Sequence, residues 1–519
     1  MNRPATLNHA KSGPMNLLAS PVFICLILFI AAAVLYGWWP TLGLSAWPSP
    51  MVLMRMVGLL IGLLVYGVLV EFLLKKPWWL MFYVLLVWPF SLYIHDLLAD
   101  LGIHLPVRIM TFAVVAVPTV MLGIKHFGQL WRNMIFFRFV LVFLGICGLY
   151  YQFNNVHFVD PNMANIDYID QSKTFLLSLF YCAVSIAVCY IGIWENTNHK
   201  KLFDQINMAI IIYTILQALC VLVGYPFHLF GQVVEGFFRS QGWGSHPNNL
   251  AHNSALFIFY FIGLIGYYNT QPDKAQRVKP SLLYTGLIAL FLMFILAISK
   301  NAIMLVMGLL VLYAVISFIV MGNKKPLFYF VGLFSFAAIV FPILYTLLTG
   351  ESFIELLEAR FSNVSSRDWR FYFWTALLNN IEPSHYLLGN GLSSAAEFMG
   401  ILSKNVDLAE NAVVYVHNAT VQLLYEMGLV GLFYYLSFLS FNVQSISLFR
   451  QLSKVSAKSL QHLAIAAVLI CIYFFLCAQA DEVMFSAISF IFWGLVTMIF
   501  AYISKELAAA KKSETVPEN

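Results

Sequence analysis

One histidine and several basic residues in apolar surroundings are the side chains whose types could do chemistry. His417 stands where the longest polar stretch of the chain gives way to an apolar stretch. An imidazole titrates near neutral pH, so it can take a proton from a hydroxyl group. Positions 417, 421, 424, 428 and 431 have the spacing of one helical face. We therefore expect His417 at the outer rim of a membrane helix, followed by small residues that admit a close neighbour.

The basic residues fall around the predicted entry points of membrane helices. They are Arg239 in the turn-rich stretch 238–250, Arg367 and Arg370 beside an aromatic stretch, and Lys300 in a short turn. Guanidinium groups suit bidentate capture of phosphate oxygens, and a lipid-linked diphosphate would present such oxygens at this depth. The alternative for each residue is an anchor at the lipid interface. Our diphosphate-binding candidates are Arg239, Arg367, Arg370 and Lys300.

Three further polar residues are supporting candidates. Glu426 lies about two turns into the apolar stretch, where a charged carboxylate costs about 2.5–3.5 kcal/mol unless it is paired or faces water. A structural hydrogen bond is the competing explanation for Glu426. Asn418 follows the candidate histidine, and Asn248 lies in the stretch that contains Arg239. We expect these residues to support the site.

Several classes of function have no signature here. The sequence contains no nucleotide-binding loop, dinucleotide fingerprint, metalloprotease motif or serine-hydrolase elbow in a supporting context. The seven cysteines all lie in apolar runs, so neither a disulfide framework nor a metal site is indicated. The basic residues are scattered through short loops, which does not favour nucleic-acid binding. We expect no metal and no cofactor.

The composition predicts a polytopic membrane protein that positions these residues. The 519 residues are 61% hydrophobic and 10% charged, with a mean hydropathy of +0.81, whereas soluble domains are about a quarter charged. About fourteen apolar runs are long enough to span a bilayer. They lie near 17–39, 51–74, 77–95, 109–124, 137–153, 174–194, 206–227, 250–270, 281–299, 302–321, 327–349, 415–448, 460–480 and 483–504.

The basic residues orient these spans. Alternate connections and both termini together hold twenty of the twenty-nine Lys and Arg residues, the other side holds eight, and Arg55 lies within a predicted span. By the positive-inside rule both termini are cytoplasmic, so all the candidate residues lie on the outer side.

The chain divides at its longest outer segment. Residues 1–349 form eleven predicted spans with short loops, 350–414 a large outer loop, 415–504 three further spans and 505–519 a cytoplasmic tail. A loop of this length is expected to be functional or partly helical. Within it, Asp368 to Asn379 are predicted to form an amphipathic helix on the membrane surface. The apolar run 415–448 exceeds one bilayer crossing, so part of it should protrude.

Together these motifs resemble the O-antigen ligase and O-antigen polymerase superfamily over about residues 235–435. The family's histidine-to-glycine signature is similar to His417 and Gly428, and its Arg-x-x-x-Trp element to Arg370 and Trp374. Arg239 and Gly242, followed by Pro-Asn-Asn-Leu-Ala at 247–251, resemble a third family segment. Lys300 stands where an arginine is common in the family. A lysine there keeps the positive charge but lacks the planar guanidinium group that can bind a phosphate through two N–H groups.

The resemblance implies an all-helical, GT-C-like glycosyltransferase of the bacterial inner membrane that needs no metal. Its donor would be a glycan on undecaprenyl diphosphate at the periplasmic face. Arg239 and Arg370, with Arg367, would hold the diphosphate, and His417 would act on an acceptor hydroxyl with inversion at the anomeric carbon.

The acceptor is either a glycan, as in a polymerase, or lipid A-core or protein, as in a ligase; other polysaccharide-assembly proteins are possible partners. We favour polymerase, because several outer loops carry candidate residues. A lipid-linked oligosaccharide flippase is the non-enzymatic alternative.

Overall fold

The computed structural model describes most of the chain beyond residue 67. The described residues are 68–87, 107–153, 171–227, 229, 231–234, 237–243, 246–271, 278–321, 368–405, 416–455, 457–481, 483–484 and 486–514, with isolated positions between 339 and 358. The predicted spans near 17–39 and 327–349 and the candidate Arg367 lie outside the described residues, apart from a few of those isolated positions.

The described part is helical apart from one hairpin, in agreement with the predicted all-helical class. Eight helices are long and apolar enough to cross a membrane among these residues, fewer than the fourteen predicted for the whole chain. The helices are α1 (Trp78–Phe82), α2 (Val107–Asn133), α3 (Ile135–Phe153), α4 (Gln171–Glu195), α5 (His199–Gly224), α6 (Pro247–Thr270), α7 (Pro280–Leu296), α8 (Lys300–Met321), α9 (Asp368–Asn379), α10 (Ser394–Asn405), α11 (Ala419–Gly431), α12 (Tyr435–Lys454), α13 (Lys458–Cys477) and α14 (Ala487–Glu514).

The long helices pack around one large apolar core in which α4 lies against α14 and α6 against α13. Aromatic side chains fill its centre: Phe474 stacks on Phe492 with ring centroids 4.2 Å apart, and Trp493 is fully buried. α14 continues beyond the predicted end of the last span, at 504, to Glu514. Lys505 on this helix donates to the carbonyls of Ile193, Trp194 and Asn196, and a cation stabilises the C-terminus of α4 in this way.

A short hairpin precedes α6 and carries Arg239. Strands β1 (Gly231–Val234) and β2 (Phe237–Ser240) pair antiparallel with Gln232 opposite Arg239. Tyr225 holds the hairpin against the end of α5 by donating from its hydroxyl to the Phe238 carbonyl at 3.1 Å. α6 then begins at Pro247, with the His246 ring accepting from the Asn248 N–H. Proline at the first position and a side-chain acceptor before it are typical of a helix start.

A second, smaller core joins α9, α10 and α11 at the end of the bundle that carries Arg239. Phe373 and Leu377 of α9 pack there with Met399 of α10 and Tyr425 of α11. The structure therefore forms the predicted helix from Asp368 to Asn379. Its two buried apolar side chains face the second core.

The predicted helical face from position 417 to 431 is wrong. α11 begins only at Ala419, after His417 at φ +52° and the capping Asn418. Gly428, at φ +61° and ψ −150°, then interrupts the helix. The Thr420 hydroxyl lies 2.7 Å from the Tyr435 hydroxyl, whereas fifteen residues of straight helix would span about 22 Å. α11 and α12 are therefore two segments at an angle.

The loop 386–391 satisfies the backbone groups that this break leaves unpaired. The N–H of Leu429 donates to the Tyr386 carbonyl at 2.9 Å, and that of Gly391 donates to the Glu426 carbonyl at 2.9 Å. The Tyr150 hydroxyl of α3 reaches the Leu388 carbonyl at 3.0 Å. An interrupted helix end needs such partners, because buried peptide groups are costly when unpaired.

Candidate functional site

The candidate residues converge on the turn 478–481, which closes α13. Asp481 is its central side chain and is only 8% exposed. Its Oδ2 accepts from Asn248 Nδ2 at 3.0 Å and lies 3.1 Å from His252 Nε2. The two partners come from one face of α6, since residues four apart in a helix lie above one another.

His417 approaches the other oxygen of the same carboxylate. Its Nδ1 lies 3.7 Å from Asp481 Oδ1, and its side chain is 22% exposed. The left-handed backbone at φ +52° is uncommon for a residue with a Cβ, although histidine tolerates it better than most. The Ala419 N–H donates to the Ala478 carbonyl at 2.9 Å. This bond fixes the start of α11 beside the turn, so the unusual backbone orients the imidazole towards Asp481.

Arg239 joins this group through Asn248. Its Nη2 donates to Asn248 Oδ1 at 2.8 Å, and its Nε donates to the Ala297 carbonyl at 2.9 Å. The side chain is only 4% exposed. We name Arg239, Asn248, His252, His417 and Asp481 the Asp481 cluster.

Arg370 and the start of α8 contact the backbone of the same turn. Arg370 Nη1 donates to the Ala480 carbonyl at 3.1 Å, and Asn301 Nδ2 reaches this carbonyl at 3.4 Å. Lys300 is the first residue of α8 and is half-buried. Arg370, Lys300 and the Asp481 cluster therefore lie at one end of the bundle.

Two supporting candidates have local roles. The Asn418 side chain accepts from the Val421 N–H at 3.0 Å and caps α11. Glu426 is 3% exposed and accepts from Gln422 and from the backbone N–H groups of Ser393 and Ala395. Its partners belong to the second core region, so Glu426 holds α11 to the start of α10. Of the three supporting candidates, Asn248 belongs to the Asp481 cluster, and its side chain contacts both Arg239 and Asp481.

Burial and neighbouring charged groups shift the pKa values of Asp481, Arg239 and His246. Burial would raise the pKa of Asp481, but hydrogen bonds from His252 and His417 and the electrostatic influence of both rings hold it well below its usual value of 3.8. Burial lowers the pKa of Arg239 to about 10 against the opposing effect of Asp481, so the guanidinium stays charged at neutral pH. Burial, then the charge of Arg239, lowers the pKa of His246. A neutral His246 ring can accept from the Asn248 N–H.

Sequence reasoning missed Asp481 and His252. Asp481 is the first of two adjacent acids just beyond an apolar run, and His252 lies inside a predicted span. An ionisable residue within a span is by itself a reason to suspect a site. That rule could have identified His252, and a search for its counter-charge would then have led to Asp481. Within the described ranges, no group of three or more His, Cys, Asp or Glu residues is arranged to hold a metal ion.

Comparison with known proteins supports the resemblance found in the sequence. Residues 285–436 match a protein family described as O-antigen ligase. The matched region spans α7 to α11 and contains Lys300, Arg370 and His417. Arg239, Asn248 and Asp481 lie outside it. No curated protein matches the chain.

Proposed function

We propose that this protein transfers a glycan from a polyprenyl diphosphate to an acceptor hydroxyl, a proposal that the match of residues 285–436 to a family described as O-antigen ligase supports. The observation that carries the proposal is the convergence of His417, Asp481 and Arg239 at one end of a membrane helix bundle, with Arg370 beside them. A proton acceptor and fixed positive charges are the two groups that this transfer requires.

His417 is the proposed base. Asp481 faces Nδ1, so the geometry of the ring directs Nε2 away from the carboxylate. The acceptor oxygen attacks the anomeric carbon, the bond from this carbon to the diphosphate oxygen breaks, and its electron pair leaves on the diphosphate. The acceptor proton moves to His417 Nε2, and the negative Asp481 stabilises the imidazolium that forms. Direct displacement inverts the anomeric centre.

The basic residues have different proposed roles towards the diphosphate leaving group. Arg370 is half-buried and donates from Nη1 to the Ala480 carbonyl, and the planar guanidinium group of an arginine suits it to bind the diphosphate. Arg239 is buried, so we assign it a supporting role: its charge favours the departing diphosphate, and its bond to Asn248 holds that residue on Asp481. Lys300 and Arg367 are further candidates for this charge.

The acceptor separates a polymerase from a ligase. We favour a polymerase that extends glycan repeat units, because the candidate residues come from several connections. The family description favours a ligase that transfers to lipid A-core or protein. We assign the reaction to the periplasmic face of the bacterial inner membrane, where the positive-inside rule places this end of the bundle.

The direct test incubates purified protein with a defined polyprenyl-diphosphate glycan, with and without a chelator. We expect glycan transfer that the chelator does not reduce. A longer glycan on the lipid carrier indicates a polymerase, and glycan on added lipid A-core indicates a ligase. An unchanged donor in the presence of both acceptors would contradict transfer and favour a flippase.

A further inference from the structure

His252 and Tyr473 form a buried pair at Oδ2 of Asp481, the oxygen that does not face His417. Both side chains are 1% exposed. His252 Nε2 lies 3.1 Å from Asp481 Oδ2, and His252 Nδ1 lies 2.8 Å from the Tyr473 hydroxyl. Cys477 Sγ is 3.0 Å from the same Nδ1.

The partners of His252 determine its tautomer. A carboxylate only accepts hydrogen bonds, so the His252 nitrogen that faces Asp481 carries the proton. Nδ1 of a neutral ring is then an acceptor, and Tyr473 donates its hydroxyl proton to it. The opposite tautomer would direct a lone pair at a buried carboxylate and leave two acceptors facing each other, which is costly in the interior.

This tautomer fixes the orientation of the Asp481 carboxylate. Oδ2 receives two donors from α6, the amide of Asn248 and the ring of His252. With Oδ2 held in this way, Oδ1 is the oxygen that faces His417 Nδ1, at 3.7 Å. The orientation of the proposed base therefore depends on a second imidazole that does not face it.

We propose that His252, with its tautomer set by Tyr473, is a positioning residue that holds Asp481 against His417 during glycan transfer. The inference rests on the proposed function. Without His252, Oδ2 loses one of its two donors and the carboxylate can turn away from His417. Protonated His417 then loses part of its anionic neighbour, and the donor-binding residue Arg370 is untouched.

The test measures transfer by purified full-length protein as a function of donor concentration and pH. We expect His252→Leu to lower kcat about tenfold with little change in the donor KM. We also expect the acidic limb of its rate–pH profile to differ from that of wild type, because the carboxylate beside His417 is held less firmly. His252→Gln can still donate to Oδ2 and should recover part of the rate.

Groups other than His252 also face the cluster and remain in place in these variants. They are Arg239 and His246 before α6, Tyr473 and Cys477 on α13, and Arg370 on α9. Their charges are the same in wild type and variant, so a shift of the pH profile reports the change at His252.

A tyrosine variant keeps the inference testable if His252→Leu fails to fold. Tyr473→Phe removes only the hydroxyl, and we expect about a threefold loss of kcat, since Cys477 remains as a weaker donor. The matched control is Tyr313→Phe, which removes a buried hydroxyl 3.3 Å from His462 Nδ1, outside the Asp481 cluster. The inference is overturned if wild type transfers glycan and Tyr473→Phe behaves like Tyr313→Phe. The proposed function itself fails if wild type transfers nothing.

Discussion

At the scale of single residues, the site is a buried anion between two imidazoles and a guanidinium. His417, Arg239 and Asn248 were predictable because a histidine and an arginine at the edges of apolar runs have few structural reasons to be there. Asp481 was not predicted, because its neighbours in the sequence form no motif; the need for a counter-charge to His252 is the signal that could have led to it. Only the folded chain brings α6, α13 and the start of α11 to one carboxylate.

Arginine variants should separate binding from chemistry. Arg370→Lys loses the forked geometry for phosphate, so we expect the donor KM to rise about tenfold with a smaller change in kcat. Arg239→Lys weakens the bond that holds Asn248 on Asp481, so kcat should fall more than KM rises. Arg132→Lys, at the opposite end of the bundle, should leave both constants unchanged. Equal effects of the first two variants on KM would contradict the division of roles.

The start of α6 should show a pH-dependent stability. The pKa of His246 is lowered below its ordinary 6.5, so folding favours the neutral ring. The contribution of His246 to the free energy of unfolding is complete above about pH 6.5. It is lost progressively below that pH, because the folded state disfavours the protonated ring. His246→Asn keeps a capping acceptor without a titrating ring. The variant should therefore lose less thermal stability than wild type between about pH 7.5 and 5.5. Identical losses would show that His246 is not responsible.

At the scale of secondary-structure elements, the break at Gly428 is the feature that periodicity could not reveal. The apolar run through 415–448 predicts helix throughout; the structure is helical only from Ala419 onward, with the break at Gly428 and a 3₁₀ turn at Leu432–Tyr434. The break depends on Gly389 and Gly428, which lie far apart in the sequence. A Cβ on Gly389 would lie 2.4 Å from the Glu426 carbonyl carbon, and one on Gly428 would lie 2.6 Å from the Leu387 carbonyl carbon.

Replacing Gly389 by alanine should destabilise the packing between the loop 386–391 and α11. Gly389→Ala places a side chain at φ +70° against backbone, so we expect a loss of about 1–3 kcal/mol in stability from strain alone. The thermal midpoint and the protease resistance of the segment 380–405 would report the loss. Gly308→Ala in α8, where a Cβ meets nothing within 4 Å, should be neutral or slightly stabilising. A neutral Gly389→Ala would contradict the close packing described here.

At the scale of the whole molecule, the bundle has two chemically different ends. One end carries the Asp481 cluster, Arg370 and the second core. The other carries a cavity of about 360 Å³ whose lining includes Lys200, Asp204, Tyr267 and Glu506. Composition and the positions of basic residues were sufficient to predict a membrane bundle, because both depend on the bilayer as solvent. They could not predict which helices are neighbours, such as α6 and α13.

The proposed orientation can be tested by cysteine labelling. We expect Tyr386→Cys, which is exposed beside the second core, to react with a membrane-impermeant maleimide in spheroplasts. Lys200→Cys, at the opposite end and exposed, should react only after the membrane is opened. The six cysteines in the described part of the chain are buried or half-buried, and a cysteine-free background removes their contribution. Reaction of Lys200→Cys in closed cells, with Tyr386→Cys protected, would reverse the topology.

The most direct test of the account is single-turnover glycan transfer by His417→Ala with the donor already bound. We predict that this variant binds the polyprenyl-diphosphate donor as wild type does but transfers its glycan at least about 10³-fold more slowly, as expected for the loss of a general base. His385→Ala changes a histidine next to the loop 386–391 and outside the Asp481 cluster, and this variant should transfer at the wild-type rate. Transfer by His417→Ala at a rate near that of wild type would contradict the account.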